Sequence, residues 1–194
     1  MSTRLPAPER RRQLLDTALE VFATQGFHAT SMNDVAEAAG VTKPVLYQHF
    51  ASKRGLYLEL LNDVGATLLE QISKATAAAT GPRGQVESGV SAYFHFVDQN
   101  RSAFTLLFGS GARRDVEFSD AVRRVETAVA DAVASLIDAD LDDEHRRVLA
   151  HGIVGLAEGT SRHWVADGLD LDPDRMARQV ADLAWAGLRG VRPV

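Results

Sequence analysis

Apolar residues recur at three- and four-residue intervals along almost the whole chain, and this periodicity restricts the possible fold more than any other feature. Clear examples are the runs Leu14, Leu15, Ala18, Leu19, Phe22 and Leu56, Leu60, Val64, Leu68, Ile72. Such spacing collects the residues on one face of an α-helix. No segment shows the strict alternation of a strand, so the sequence predicts an all-α protein of about nine helices.

Start and stop signals divide this pattern into individual helices. Ser31 precedes Asp34 by three residues, close to a capping box, and Gly40 ends that helix. Thr42 suits the N-cap of the next helix, where Pro44 falls in the first turn and removes no intrahelical hydrogen bond. The predicted helices span residues 8–27, 31–40, 42–50, 52–80, 85–99, 101–108, 118–137, 143–167 and 173–189.

The second and third helices are short and joined by a tight turn, which is typical of a helix-turn-helix unit. Leu46 and Phe50 lie four residues apart and are expected to face inward. Their expected partners in the core are Leu19, Val35, Ala36 and Ala39. The side chains left toward the outside are Lys43, Val45, Tyr47, Gln48 and His49. This helix is therefore packed on one side, and its polar side is available to touch a partner.

Charge is distributed unevenly along the chain. The net charge is −5, yet residues 1–55 contain seven basic and five acidic side chains, a balance of +2. The remaining residues contain 14 basic and 21 acidic side chains, a balance of −7. This asymmetry is typical of a nucleic-acid-binding head on an acidic body, although a balance of +2 is also common by chance.

Composition disfavours several classes of protein. The chain has no cysteine, which excludes disulfides, thiolate zinc sites and a cysteine nucleophile. No apolar run approaches the roughly 18 residues of a membrane span, and the N-terminal residues lack the apolar region of a signal peptide. We therefore expect a cytoplasmic protein with no membrane partner.

The sequence offers little for catalysis or metal binding. Asp138–Asp143 resembles the start of a calcium loop, but its sixth position is not glycine and Leu149 stands where glutamate is needed. His151 and Glu158 share a helix face, whereas His163 points elsewhere. Neither a serine nucleophile elbow nor a glycine-rich phosphate loop occurs. We expect no metal, no cofactor, no catalytic residue and no enzymatic activity.

The segment "TSMNDVAEAAGVTKPVLYQHFASKRGLYLELL", preceded by "LLDTALEVFATQGF", resembles the DNA-binding head of the TetR family of repressors over about residues 10–60. The resemblance depends on the order of Gly26, Thr30, Ala36, Gly40, Val41, Leu46, Tyr47, Phe50 and Lys53. It implies a DNA-binding domain at residues 1–54, and an effector-binding and dimerisation domain at residues 55–194. It also implies three partners: a double-stranded DNA operator, a second copy of the chain and a small-molecule effector.

The same resemblance assigns roles in DNA binding. The third helix would enter the major groove, with Tyr47, His49 and Lys53 at phosphates. Nearest the base edges would be Lys43, Pro44, Val45 and Gln48. Ser31 and Thr42, which begin the second and third helices, complete the predicted set.

The chemistry of these side chains supports the assignments. Tyrosine and histidine donate hydrogen bonds to phosphate oxygens, and a lysine at a helix N-terminus adds charge to the helix dipole. Glutamine pairs with adenine, lysine reaches guanine acceptors, and valine meets the thymine methyl.

Other readings of single residues remain open. Tyr47 alone is more often a half-buried packing residue, and His49 alone a surface histidine. Arg10, Arg11 and Arg12 oppose the helix dipole, which either a DNA backbone or a solvated face would explain. The same two readings apply to the arm before Pro8.

Aromatic residues concentrate in the middle helices and predict a ligand cavity. The predicted lining residues are Tyr93, Phe94, Phe96, Phe104, Phe108, His163 and Trp164, with His95 and Arg101 as possible polar anchors. A plain aromatic core is the alternative for any single ring. The resemblance to TetR proteins favours the cavity, with a mostly apolar or anionic ligand.

Small residues on the last two helices predict an interface with a second subunit. The predicted interface residues are Gly152, Gly155, Gly159, Leu183, Ala184 and Gly187. Glycine inside a helix costs about 1 kcal/mol relative to alanine, so a packing reason is expected. A homodimer would place two recognition helices about 34 Å or somewhat more apart, which predicts a palindromic operator. We expect a ligand-released repressor; the alternative is a helical small-molecule-binding protein without DNA recognition.

Overall fold

The computed structural model describes residues 6–109, 115–137 and 140–191, and its described part contains nine helices and no strand. The all-α prediction is confirmed. The helices are α1 (Ala7–Ala29), α2 (Met32–Ala38), α3 (Lys43–His49), α4 (Lys53–Ala78), α5 (Gly81–Gln99), α6 (Arg101–Phe108), α7 (Val116–Ala134), α8 (Asp143–Ala166) and α9 (Pro173–Arg189). Residues 1–5 of the arm before Pro8 lie outside the described residues, as do Asp138 and Ala139, the first two residues of the Asp138–Asp143 stretch.

The chain forms two compact units. Unit 1 contains the described residues up to Val64 together with those of Ser102–Ala121, and unit 2 contains Gly65–Arg101 and the described residues from Val122 onward. Helices α4 and α7 each begin in unit 1 and end in unit 2. The proposed functional boundary at residues 54 and 55 therefore falls inside unit 1, near the start of α4.

Unit 1 is built around a core contributed by α1 to α4, α6 and the first turns of α7. Its buried side chains include Leu14, Ala18, Val35, Leu46, Phe50, Leu56, Leu60, Phe104 and Phe118. Leu46 and Phe50 are buried as expected, whereas Leu19 is half-buried. Gly26, expected to end the first helix, lies within the bounds of α1 and breaks its regularity with φ +79°. Glycine is suited to this position because it reaches positive φ without a steric penalty.

The start of α2 and the turn before α3 follow the local sequence signals. Ser31 and Asp34 form a capping box, with Asp34 N donating to Ser31 Oγ at 3.2 Å and Ser31 N donating to Asp34 Oδ2 at 2.8 Å. Gly40 takes φ +64° in the turn. Thr42 occupies the N-cap of α3 and proline lies in its first turn, but the Thr42 side chain makes no capping hydrogen bond.

Unit 2 is organised by the packing of α9 against α5, with α8 contacting both. Arg83 near the start of α5 pairs with Asp182 at 3.2 Å, and His95 near its end pairs with Asp174 at 3.0 Å. The residue numbers rise along α5 while they fall along α9, so the two helices are antiparallel. Trp164 of α8 is fully buried, and its indole nitrogen donates to Leu169 O at 3.0 Å.

Helices α4 and α7 approach each other closely within unit 2. A Cβ at Gly65 would lie 2.9 Å from Val125 Cγ1, and closer still to Cγ2. Real Cβ atoms do not approach neighbours to this distance, so glycine is needed at Gly65 for the observed packing. In the part of the chain that the structure describes, no helix is both long and apolar enough to cross a membrane.

Candidate functional site

The outer face of α3 presents polar side chains above a buried inner face. Lys43, Pro44, Tyr47 and Gln48 are exposed, and Tyr47 retains 45% of its accessible surface. Leu46 between them is fully buried. Nearly half of the Tyr47 surface is therefore available to a partner, and the rest is packed. The exposed polar groups share one short helix surface, called the α3 surface below.

Val45, His49, Ser31 and Thr42 complete the predicted set around the α3 surface. Val45 and His49 are half-buried, and Ser31 and Thr42 are exposed. The Ser31 backbone N–H donates to Asp34, and this hydrogen bond holds the pKa of the Asp34 carboxyl below its usual value. Ser31 is therefore engaged in holding α2, while the Thr42 hydroxyl is not used as a cap.

The Lys53 ammonium group binds backbone carbonyls at the end of α1. Its Nζ donates to the carbonyl oxygens of Phe27 and Thr30 at 2.8 and 2.7 Å. The same atom lies 4.4 Å from the centre of the Phe27 ring. An ammonium group has three N–H donors, so two of them are used inside unit 1 and one remains for a phosphate.

Two of the three arginines in the run Arg10–Arg12 of α1 pair with carboxylates. Arg12 pairs with Asp16 at 2.6 Å and with Asp63 at 2.7 Å, and Arg11 pairs with Glu59. Asp63 and Glu59 belong to α4, so these pairs tie α1 to α4. The hydrogen bond from Arg12 to Asp16, followed by the one to Asp63, raises the pKa of Arg12. Ion pairs with α4 therefore give a third explanation for the basic residues near the start of α1, beside a DNA backbone and a solvated face.

Arg54 joins the start of α4 to the start of α7 within unit 1. Its Nη2 and Nη1 lie 2.8 and 3.0 Å from the carboxylate of Asp115, and its Nε pairs with Glu117. The guanidinium also lies 4.7 Å from the centre of the Phe118 ring. Hydrogen bonds from Arg54 lower the pKa of Asp115. Sequence reasoning did not find this contact, because Asp115 and Arg54 are far apart in the chain.

A cavity of about 270 Å³ lies within unit 2, among α4, α5, α7, α8 and α9. Its wall is mostly branched aliphatic: Ile72, Val86, Val90, Val129, Val133, Leu136, Ile137, Leu149, Ile153, Val154, Leu188 and Val191. The remaining lining residues are Thr76, Pro82, Gln85, Gly89, Tyr93, Ala157, Trp185 and Arg189. An apolar wall with few polar groups is typical of a small-molecule site.

Most of the residues predicted to line a ligand cavity lie elsewhere. Of the seven, Tyr93 lines the cavity and the other six do not. Phe94, Phe96 and Trp164 fill the core of unit 2, with the Phe94 and Trp164 ring centres 6.1 Å apart. Phe104 and Phe108 belong to unit 1, and their ring centres are 5.0 Å apart.

The proposed polar anchors also lie outside the cavity wall. His163 is exposed and pairs with Asp167 at 2.5 Å. His95 pairs with Asp174, and Arg101 lies 5.1 Å from the centre of a Trp164 ring. The polar residues that do line the cavity, Gln85 and Arg189 among them, were not singled out from sequence.

Tyr93 carries a buried hydroxyl at the α8 side of the cavity wall. Neither Tyr93 Oη nor Ser161 Oγ has a hydrogen bond of good geometry within the described residues. Burial strongly raises the pKa of Tyr93, and the neighbouring Ser161 hydroxyl opposes this shift. The tyrosine is therefore neutral at physiological pH, and it lines the cavity.

The outer surfaces of α8 and α9 carry the predicted interface residues. A Cβ at Gly152, Gly155, Gly159 or Gly187 would meet no atom within 4 Å. Leu183 is 60% exposed, and Val148 of α8, not named from sequence, is 65% exposed. Ala184, which was also predicted at the interface, is buried within the chain.

No group of three or more metal-ligating side chains occurs among the residues that the structure describes. The expectation of no metal rests on the sequence.

Two family models match successive parts of the chain. Residues 14–60 match the family model of the bacterial regulatory proteins of the tetR family. Residues 82–187 match the model of a tetracyclin repressor-like C-terminal domain. The first match contains α2 and α3, and the second contains most of the helices around the cavity.

Curated relatives cover almost the whole chain. The chain is 35% identical over 190 residues to the HTH-type transcriptional activator FasR of Mycolicibacterium smegmatis, covering 97% of this chain and 87% of the relative. It is 27% identical over 184 residues to the HTH-type transcriptional repressor KstR2 of Rhodococcus jostii, covering 95% and 80%.

Solved structures share the fold. A TetR-like transcriptional regulator from Rhodococcus sp. RHA1 superposes with a TM-score of 0.81 at 29% identity, covering 97% of this chain and 100% of the other. FadR from Bacillus subtilis, solved in complex with stearoyl-CoA, gives a TM-score of 0.78 at 17% identity, covering 93% and 99%. At that identity the second likeness shows the fold alone.

Proposed function

Because this chain belongs to the TetR family of bacterial regulatory proteins, we propose that it is a repressor that binds a palindromic operator as a homodimer and leaves it when a small molecule binds. DNA-binding regulation of transcription follows from the family; the direction of control, the operator symmetry and the effector are our proposal. A role at DNA also supports the expected cytoplasmic location.

The α3 surface is the observation that carries this proposal. Lys43, Tyr47 and Gln48 are exposed on one face while Leu46 anchors the other in the core. In this arrangement Lys43, Pro44, Val45 and Gln48 read base edges. Tyr47 and His49 bind phosphates and set the position of the helix in the groove.

Lys53 takes a smaller share of DNA binding in this proposal than sequence alone suggested. Two of its donors already hold the end of α1. Its remaining N–H adds one phosphate contact, and its main contribution is to hold α4 against the end of α1.

A second copy of the chain is proposed to cover the glycine surface of α8 and α9. Gly152, Gly155 and Gly159 leave open space on α8, and exposed Leu183 offers apolar area on α9. Small residues allow helices of two subunits to approach closely. A two-fold dimer of this kind accounts for the expected palindrome, since each head binds one half-site.

The cavity of unit 2 is proposed to bind the effector. It is apolar, and α4 and α7, which help to line it, also contribute residues to unit 1. A ligand that favours one arrangement of these helices lowers DNA affinity by 5- to 150-fold if the coupling is about 1–3 kcal/mol. FadR from Bacillus subtilis, which shares this fold, was solved in complex with stearoyl-CoA, so a protein of this fold can bind a small molecule.

Selection of bound duplexes from a random pool tests the proposal. The full chain is incubated with the pool, and the enriched duplex is then titrated at two salt concentrations. We expect a palindrome, with affinity that falls steeply as salt rises because phosphate contacts release counterions. No enrichment by a well-behaved dimer would favour the alternative, a small-molecule-binding protein without DNA recognition.

Activation is a second candidate function, favoured by the relationship to FasR, a transcriptional activator. The two directions are separated by a reporter gene whose promoter contains the selected palindrome. Repression predicts lower reporter expression when the chain is present, and activation predicts higher expression.

A further inference from the structure

Arg189 is the one charged side chain among the residues that line the cavity of unit 2, all of which are described. Every other lining residue is neutral, and most are branched aliphatic. A guanidinium at a mostly apolar wall attracts an anion, because it offers several N–H donors in a planar fork. A mostly aliphatic wall with one cationic side chain suits a ligand that has an apolar body and one anionic group.

The position of Arg189 places the charge at one end of the cavity. Arg189 is the last residue of α9, and α9 runs antiparallel to α5, as the Arg83–Asp182 and His95–Asp174 pairs show. Pro82 and Gln85 from the start of α5 also line the cavity. The start of α5 and the end of α9 therefore form the same end, which carries Gln85 and Arg189.

Arg189 differs in its partners from three other arginines of unit 2. Arg83, Arg147 and Arg162 each pair with a carboxylate. Arg189 is exposed and has no ion pair with any residue in the described ranges. Its charge is thus available to a bound molecule, with little cost from breaking an existing pair.

From this geometry we infer that the ligand is an aliphatic monocarboxylate whose chain fills the cavity and whose carboxylate binds Arg189. This inference rests on the proposed function, because it takes this ligand to be the effector. A volume of about 270 Å³ holds roughly nine groups the size of a water molecule or a methylene, at about 30 Å³ each. The chain inside the cavity is accordingly about nine carbons long.

Calorimetric titration of the full chain with hexanoate, octanoate, decanoate and tetradecanoate tests the chain length and the chemical class of the ligand together. Below the filling length, each methylene should improve affinity about fourfold, since its burial is worth about 0.8 kcal/mol. We expect this gain to stop near decanoate. A gain that continues unchanged to tetradecanoate, or no binding of any acid, would overturn the inference.

Decanol and decanoyl-CoA identify the head group. Decanoate should bind more tightly than decanol to the wild-type chain, and Arg189→Gln should remove this preference by weakening decanoate about five- to tenfold while leaving decanol unchanged. Binding of decanoyl-CoA in place of decanoate would overturn the assignment of a free carboxylate. An unchanged preference in Arg189→Gln would overturn the role of Arg189.

Two matched variants separate local from general effects. Arg178→Gln changes another exposed arginine of α9 that does not line this cavity, and it should bind decanoate like the wild type. Val154→Phe fills part of the cavity and should move the best chain length below decanoate. Equal loss in Arg178→Gln and Arg189→Gln, or an unshifted optimum in Val154→Phe, would contradict the assigned site.

Operator binding in the presence of decanoate distinguishes this inference from the proposed function. If decanoate binds through Arg189 and lowers operator affinity, both hold. If decanoate binds but operator affinity is unchanged, the ligand assignment stands and effector control fails. If no acid binds while the palindrome is still bound, this inference fails and the DNA-binding function stands.

Discussion

The ammonium nitrogen of Lys53 lies 2.8 Å from the carbonyl oxygen of Phe27. It also donates to the carbonyl of Thr30 at 2.7 Å. The last carbonyl groups of a helix lack intrahelical donors, so the first residue of α4 supplies them for the end of α1. The helix that follows the α3 surface is thereby fastened to the helix that precedes α2.

Replacing Lys53 with methionine should lower the free energy of unfolding by about 1.5–3 kcal/mol, because two carbonyls lose charge-assisted hydrogen bonds. Urea unfolding measures the change. The matched control is Lys43→Met on the exposed α3 surface, which should alter stability by less than about 0.5 kcal/mol and weaken DNA binding instead. Equal stability of the two variants would show that the Lys53 contacts contribute nothing.

The capping box predicts a dependence of stability on pH. The pKa of Asp34 is lowered from its ordinary value of 3.8, chiefly by the hydrogen bond from the Ser31 backbone N–H. A lowered folded-state pKa stabilises the protein above the unfolded pKa, and this contribution is lost as pH falls through the folded pKa. Asp34→Asn should therefore melt below the wild type at about pH 7, with the difference shrinking below about pH 4.

Thermal unfolding of both proteins between about pH 7 and pH 3 checks this prediction. Glu37→Gln, which removes another carboxylate of α2, is the control and should give no such trend. A melting difference for Asp34→Asn that stays constant over the whole range would contradict the role of the ionised carboxylate.

The close approach of α4 and α7 predicts a steric effect at Gly65. Gly65→Ala should destabilise the protein by about 1–3 kcal/mol, because the added methyl overlaps Val125. Gly84→Ala in α5, where a Cβ meets only an ordinary contact at 3.9 Å, should be neutral or stabilising by up to about 1 kcal/mol.

Urea unfolding of the double variant Gly65→Ala with Val125→Ala isolates the contact. Removing the branched Val125 side chain should recover part of the stability that Gly65→Ala loses. The double variant should therefore be more stable than the sum of the two single changes predicts. Purely additive losses would show that Val125 is not what Gly65 accommodates.

The α8 and α9 surface predicts the oligomeric state. Sedimentation should show a dimer of the wild-type chain at micromolar concentration, and Gly155→Glu should weaken it at least tenfold by placing a charge in the interface. Ser135→Glu, at an exposed position outside the predicted interface, should leave the dimer unchanged. A wild-type monomer, or a Gly155→Glu dimer of normal strength, would exclude this surface as the interface.

Local signals in the sequence were sufficient for the helices and for the α3 surface. The Ser31 capping box, the turn at Gly40 and the inward direction of Leu46 depend on neighbouring residues, which the sequence shows directly. The end of α1 was less predictable, because Gly26 interrupts the helix instead of ending it.

The cavity wall was harder to predict because it depends on packing between distant segments. Aromatic rings were expected to line it, yet Phe94 and Trp164 fill the core, where large flat rings bury the most area. The wall is formed by aliphatic residues at helical spacing, which sequence alone does not separate from ordinary core residues. Arg189 gives no local signal, since it looks like any cation in a last helical turn.

The central claim is that the α3 surface reads DNA sequence as part of a dimer. The most direct test is the affinity of the wild type, Tyr47→Phe and Gln48→Ala for the selected palindrome, for duplexes altered at single positions and for a duplex with one half-site destroyed. The account predicts that destroying a half-site weakens wild-type binding strongly. It also predicts that Tyr47→Phe weakens all duplexes alike, whereas Gln48→Ala loses about 1–3 kcal/mol of discrimination at one position of each half-site. Equal, sequence-independent losses from both variants, or indifference to the second half-site, would contradict it.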